Sequence, residues 1–208
     1  MIESLVHAFV TLFVIVDPIG VAAIFVGLAG TMPPAERRHV ALKGTAIATG
    51  VILAFAFAGD YLFRALGISI SAFSIAGGAL LFLLAINMVL VQRTGLSSTT
   101  VSEDREAVSK DDITVFPLAI PLLAGPGALT SILLLASRAE SDLLAQAGLV
   151  AVVLAVMALT AVTLMSASQV VRLLGITGVN VIGRVFGIIL AALAIQFVLN
   201  GIKTSGLV

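Results

Sequence analysis

Asp17 stands between Val16 and Pro18 in an otherwise apolar run, and it is the one acidic residue set deep inside such a run. A carboxylate at the centre of a membrane helix costs about 2.5–3.5 kcal/mol on insertion scales, so this one must face a polar interior. Three roles are open to it. It could pair with the ammonium of a solute, carry a coupling proton or sodium ion, or cap a half-helix that begins at Pro18, since Asp before Pro is a strong helix-start signal. A second run, Ala124-Gly125-Pro126-Gly127, interrupts another apolar stretch. Proline inside a helix removes a backbone hydrogen bond and crowds the preceding turn, and glycine raises the cost of staying helical. Freed amides and carbonyls in lipid must find protein, water or a ligand. Unwound backbone is therefore expected over Asp17–Gly20 and Leu123–Ala128, and with Pro117 and Pro121 ahead of Pro126 the second of these stretches begins irregularly well before its break. Asp17, Pro18, Ile19, Gly20, Ala124, Gly125, Pro126 and Gly127 are the candidate solute-binding residues, with Asp17 also the candidate for ion or proton coupling.

Few other polar groups could join them. Asn87 and Gln196 each sit within an apolar run, where they could contact a solute or hydrogen-bond between helices. Arg184, at the edge of the last run, could pair with Asp17 in a structural or gating role, or reach to the headgroups along its aliphatic stem. His7 lies near one end of the first run, and His39 lies among basic residues.

These residues need elements to hold them, and the composition says which kind. Hydrophobic residues make up 60% of the 208 and charged residues only 11%, with a mean hydropathy of +1.22. A soluble fold of this size could not cover so much apolar surface. Six runs approach the roughly 20 residues that cross a bilayer, at about 5–29, 41–59, 70–91, 113–136, 143–166 and 182–201. The fold class expected is an all-α membrane protein of six transmembrane helices. Helices one and four are broken near mid-membrane. The first run, lacking a basic segment before it, reads as a span rather than a removed signal.

Between runs three and four, residues 93–112 form the one long polar stretch, rich in Ser, Thr and charge, which reads as a solvated linker. Eight of the 11 basic residues fall on its side of the membrane, among them Arg37, Arg38, Lys43, Arg93, Arg105, Lys110 and Arg172. That asymmetry makes this side cytoplasmic and places both termini outside, periplasmic for a protein of a bacterial inner membrane.

A shift of 108 residues lays Pro18 on Pro126 and Gly67-Ile68-Ser69 on Gly175-Ile176-Thr177. A shift of 109 lays Gly78 on Gly187 and Ala85-Ile86-Asn87 on Ala194-Ile195-Gln196. The chain thus divides into a first three-helix repeat at 1–92, the linker at 93–112 and a second repeat at 113–208. Three is odd, so the second repeat runs through the membrane inverted. Inverted repeats with matched broken helices are the architecture of many secondary transporters.

Other classes find little support. Net charge is zero, with no basic face for nucleic acid. There is no cysteine, hence no disulfide or thiolate metal site, and no paired-carboxylate, HExxH or nucleophile-elbow pattern that would mark an enzyme. No cofactor is implied beyond a coupling proton or sodium ion, and the lipid bilayer is the partner that composition names.

The Asp17-Pro18-Ile19-Gly20 run, the segment Ile120-Pro121-Leu122-Leu123-Ala124-Gly125-Pro126-Gly127-Ala128, and Gly178 to Gly187 with Arg184 resemble the MarC family of integral membrane proteins over essentially the whole chain. The resemblance implies six spans and, through relatives described as carriers of small neutral amino acids such as alanine and glycine and a grouping with LysE-type exporters, transport. On that reading the partner is a small polar solute, its carboxylate met by half-helix amides and its ammonium by Asp17. An exporter or channel for another small metabolite and a non-transporting membrane scaffold are the alternatives.

Overall fold

A computed structural model describes residues 2–29, 32–90, 113–139 and 142–206, and every regular element among them is helical. α1 (Ile2–Val16) and α2 (Pro18–Ala29) make one apolar run of 28 residues interrupted at Asp17. α3 (Pro34–Ala65), α4 (Ile70–Leu90), α5 (Pro126–Ala139), α6 (Leu143–Met165) and α7 (Ala167–Thr204) follow. Five runs are long and apolar enough to cross a bilayer. The irregular segment Thr114–Leu123 and α5, bent by 55° at their junction, are together apolar and long enough to count as a sixth if the pair crosses as one broken span. The polar stretch 93–112 lies outside the described residues.

Most expected spans match, with three differences. α3 begins at Pro34, not near 41, because Pro at the first helical position and Glu36 in the first turn both favour helix, so the basic Arg37–Lys43 run is helical rather than a loop. The last span begins at Thr177 rather than 182, immediately after a break at Gly175. There the backbone takes φ 65 and ψ 170, which glycine tolerates and a side chain would not. Gly67, just ahead of α4, likewise has a positive φ, 69. The third difference concerns the breaks and is described with the site.

The interrupted spans occupy the middle of the bundle. α1–α2 is the most buried of the five continuous spans, through Leu12, Val16, Ala22 and Phe25, while Leu118, Leu123 and Ile132 bury the fourth. α4 and α7 run along each other over the most extensive contact, and α3 packs on α6. α2 packs on α7 as α5 packs on α4, and α1 on α6 as the irregular segment does on α3. Small residues set the α4–α7 approach. A Cβ on Gly78 would lie 2.7 Å from the Ala194 carbonyl oxygen and 2.8 Å from the Val198 side chain. A Cβ on Gly187 would lie 3.1 Å from the Ala85 carbonyl oxygen and 2.9 Å from the Val89 side chain. Ser74 Oγ ties the same pair together by donating to Phe197 O at 2.7 Å.

Candidate functional site

The two interruptions differ in kind. At the first, only Asp17 leaves the helical conformation, with φ 46. Its amide still donates to Phe13 O at 3.0 Å, closing α1, and its carbonyl accepts from Val21 N at 2.9 Å, opening α2. The side chain bends onto the new helix, where Oδ1 accepts from the Gly20 amide at 3.1 Å. This is the geometry of a capping carboxylate three residues ahead of the amide it holds. Gly20 is the residue that permits it, since a Cβ there would collide with the Asp17 carboxylate. The unwound stretch expected over Asp17–Gly20 is thus corrected to one residue, because the Asp17 cap lets Pro18, Ile19 and Gly20 begin α2.

The second interruption is wide, and the irregularity expected upstream of Gly125 from Pro117 and Pro121 is present. Pro117 and Pro121 donate no amide hydrogen, and the residues ahead of them, Phe116 and Ile120, are driven to extended backbone at φ −126, ψ 126 and φ −133, ψ 125. Both X–Pro bonds are cis. The hydrogen bonds that remain span five residues, Leu118 N to Ile113 O at 3.3 Å and Ala124 N to Ala119 O at 2.9 Å. Gly125 then turns the chain into α5. A Cβ on it would lie 2.5 Å from the Pro121 carbonyl oxygen, so glycine alone fits. Pro126, Gly127 and Ala128, expected to be unwound, are the first turn of α5.

A cavity of about 70 Å³ opens at this second break. Pro121, Leu122, Gly125 and Gly127 line it, together with Ile15 from α1 and Leu84 from α4. A water needs about 10–15 Å³ on this measure, so the space suits a few waters or one small solute. Ile15 stands two residues before Asp17, but the expected residues Asp17, Pro18, Ile19 and Gly20 are not among those that line the cavity, nor is Asn87. Ala124 is buried beneath the same turn.

The remaining expected residues are placed less uniformly. Asn87 is partly buried on α4, one turn beyond Leu84. Gln196 does not join the cavity: it is exposed on α7 and its Nε2 donates to Asn200 Oδ1 at 3.0 Å, since the helical register turns position 196 away from the buried Ala194 and Phe197 face. Arg184 is exposed on the same helix, as reach to the headgroups requires. Ile15, Leu84 and Pro121 were not among the expected site residues. Pro121 was findable from its place four residues before Gly125, whereas nothing in the local sequence marks Leu84.

An all-helical bundle with broken central spans and so apolar a surface defines a polytopic integral membrane protein. The chain matches the model of MarC family integral membrane proteins over residues 2–205, and it belongs to that family. It is 36% identical to a UPF0056 membrane protein of Pyrococcus abyssi over 203 residues, covering 98% of this chain and 96% of that one. YvbG of Bacillus subtilis, a UPF0056 membrane protein, is 34% identical with the same coverage of 98% and 96%. YhcE of Escherichia coli, likewise a UPF0056 membrane protein, is 34% identical over 94% of this chain and 90% of its own. No solved structure matches.

Proposed function

We propose that this protein is a secondary transporter of small neutral amino acids, alanine- or glycine-like, working by alternating access of two inverted three-helix repeats. The observation that carries this reading is the cavity at the second break, lined from both interrupted spans and sized for one small solute. The packing supports the symmetry. Under the 109-residue shift, Gly78 exchanges with Gly187, Ala85 with Ala194 and Val89 with Val198. The contacts of Gly78 with Ala194 and Val198 thereby become those of Gly187 with Ala85 and Val89. Reciprocal contact of this kind is what a two-fold relation between halves produces. The matched left-handed glycines at 67 and 175 fit the same relation.

The symmetry also suggests how a zwitterion binds. The shift of 108 lays Asp17 on Gly125 and Gly20 on Ala128. In the first repeat the Asp17 carboxylate holds the Gly20 amide. In the second, Gly125 offers no side chain to Ala128, and Ala128 lines the cavity. A solute carboxylate fits where the second repeat lacks its own, at the positive end of α5. Asp17 would then serve the ammonium or the coupling proton or sodium ion from the adjoining break. With Gly125 and Gly127 at its wall, the cavity leaves room for only a small side chain.

The test is counterflow of radiolabelled alanine and glycine in proteoliposomes, with Asp17→Asn as the paired control. Saturable counterflow lost in the variant supports a carrier with Asp17 in its site. Intact counterflow in Asp17→Asn would sink the role given to Asp17. Its absence for every small amino acid in the parent protein would move the assignment to an exporter or channel for another metabolite or to a scaffold.

A further inference from the structure

Ser131 lies fully buried in α5, at 0% exposure, and its Oγ has no hydrogen-bond partner among the described residues. Several other hydroxyls within the spans are satisfied: Thr45 bonds Ala41 O, Thr160 bonds Val156 O, and the adjacent Thr130 bonds Pro126 O. An unsatisfied buried hydroxyl is rare enough in folded proteins to need a reason. Its position supplies one. Ser131 shares a helix face with Gly127, one turn toward the break, and with Leu135, one turn away from it. Gly127 lines the cavity at the break. Leu135 lines a second and larger cavity, about 650 Å³, which opens at the end of the bundle that carries the N-terminus.

α1 completes the picture from the opposite wall. Glu3, Ser4 and His7 border the large cavity together with Asp142, and Ile15 borders the small one. Between them on the same helix lies Thr11, buried at 1% exposure. Thr11 of α1 and Ser131 of α5 therefore stand in the interval between a wide vestibule and the site at the break, on two helices that pack together. The repeat-equivalent positions, 108 residues away, are Ala119 and Ala23, so the other half of the molecule carries methyl groups where this half carries hydroxyls.

We infer that the seam between α1 and α5 is the permeation route from the N-terminal face to the break, with Ser131 and Thr11 as its buried polar station and a small ammonium-bearing solute as its traffic. The inference rests on the transport reading above for its cargo, and on the cavities and hydroxyls for its path. A solute or water passing the seam satisfies the Ser131 hydroxyl, which a sealed helix contact would leave without a partner. The carboxylates of Glu3 and Asp142 at the vestibule concentrate cations over anions.

The natural sequence contains no cysteine, so single-cysteine variants report without background. Ser131→Cys and Thr11→Cys are made in the full chain and exposed in sealed vesicles to a membrane-impermeant methanethiosulfonate applied at the N-terminal face. Leu190→Cys, equally buried at 0% exposure but in the α4–α7 contact, is the reference. The expected result is loss of the free thiol at Ser131→Cys, or at Thr11→Cys should the first variant fail to fold, with Leu190→Cys unreacted. A cationic reagent should react faster than an anionic one of equal size. Thiols at 131 and 11 as inert as that at 190, or labelled only from the opposite face, overturn the route. Equal rates for the two charges overturn its preference for ammonium. These readouts are independent of counterflow: labelling without alanine or glycine counterflow upholds the seam and removes the amino-acid assignment.

Discussion

At the scale of single residues, Asp17 combines two demands that a substitution series separates. Its carboxylate caps α2 through Gly20 while its backbone holds φ 46, a conformation Asn tolerates and Ala does not favour. Asp17→Asn keeps a capping oxygen and should leave the thermal stability of the detergent-solubilised protein close to that of the parent. Asp17→Ala loses the cap and should cost about 0.5–2 kcal/mol, with further strain from the left-handed backbone. If both variants lose counterflow but only Ala loses stability, charge and cap are distinct contributions. Equal stability loss in both would mean that the charge itself holds the fold. Capping was legible in the sequence, because Asp-Pro and a glycine three residues on are local signals. The unpartnered hydroxyl of Ser131 was not, since whether a serine bonds its own helix depends on a rotamer that sequence does not fix.

At the scale of elements, the discontinuity at Pro126 was legible in the sequence, whereas the helix start at Pro34 and the break at Gly175 were not, although proline or glycine marks each. Pro126 and Gly175 mark real discontinuities. The amphipathic start of α3 was hidden because its charges interrupt the apolar run, although charged residues are good helix formers. The upstream reach of the second break was legible in Pro117 and Pro121, which act on their predecessors Phe116 and Ile120. The α4–α7 contact gives the element-scale prediction. Gly78→Ala and Gly187→Ala each push a methyl into a neighbouring backbone, and overpacking of this kind costs roughly 1–3 kcal/mol. Gly50, on α3, has nothing within 4 Å of an added Cβ, and Ala there gains helix propensity. Thermal unfolding in detergent should therefore fall for the first two variants and hold or rise for Gly50→Ala. A Gly78→Ala protein as stable as the parent would show that α4 and α7 do not approach as closely as the structure has them.

At the scale of the whole molecule, the proposed six spans would put both termini on one face, and the basic residues would decide which face that is. α3 carries Arg37, Arg38 and Lys43 in its first turns, and with six spans that charge would lie on the side opposite the termini. Long-range pairing was only partly readable: Gly78 and Gly187 stand out in the sequence as glycines 109 residues apart, whereas the partner that each meets depends on packing between helices. The orientation prediction combines the two. Reporter fusions at the C-terminus should be active with a periplasmic reporter such as alkaline phosphatase and silent with a cytoplasmic fluorescent one. A fusion inserted in the 93–112 stretch should behave in the opposite way. Replacing Arg37, Arg38 and Lys43 together with Gln weakens the signal that retains this side, because positive charge in short loops near span ends sets topology. A mixed population of the two orientations is then expected, seen as phosphatase activity from the 93–112 fusion. A cytoplasmic C-terminus in the parent protein would reverse the vestibule as well. The cavity bordered by Glu3, His7 and Asp142 would then open to the cytosol, and its solute would leave the cell by the route that otherwise admits it.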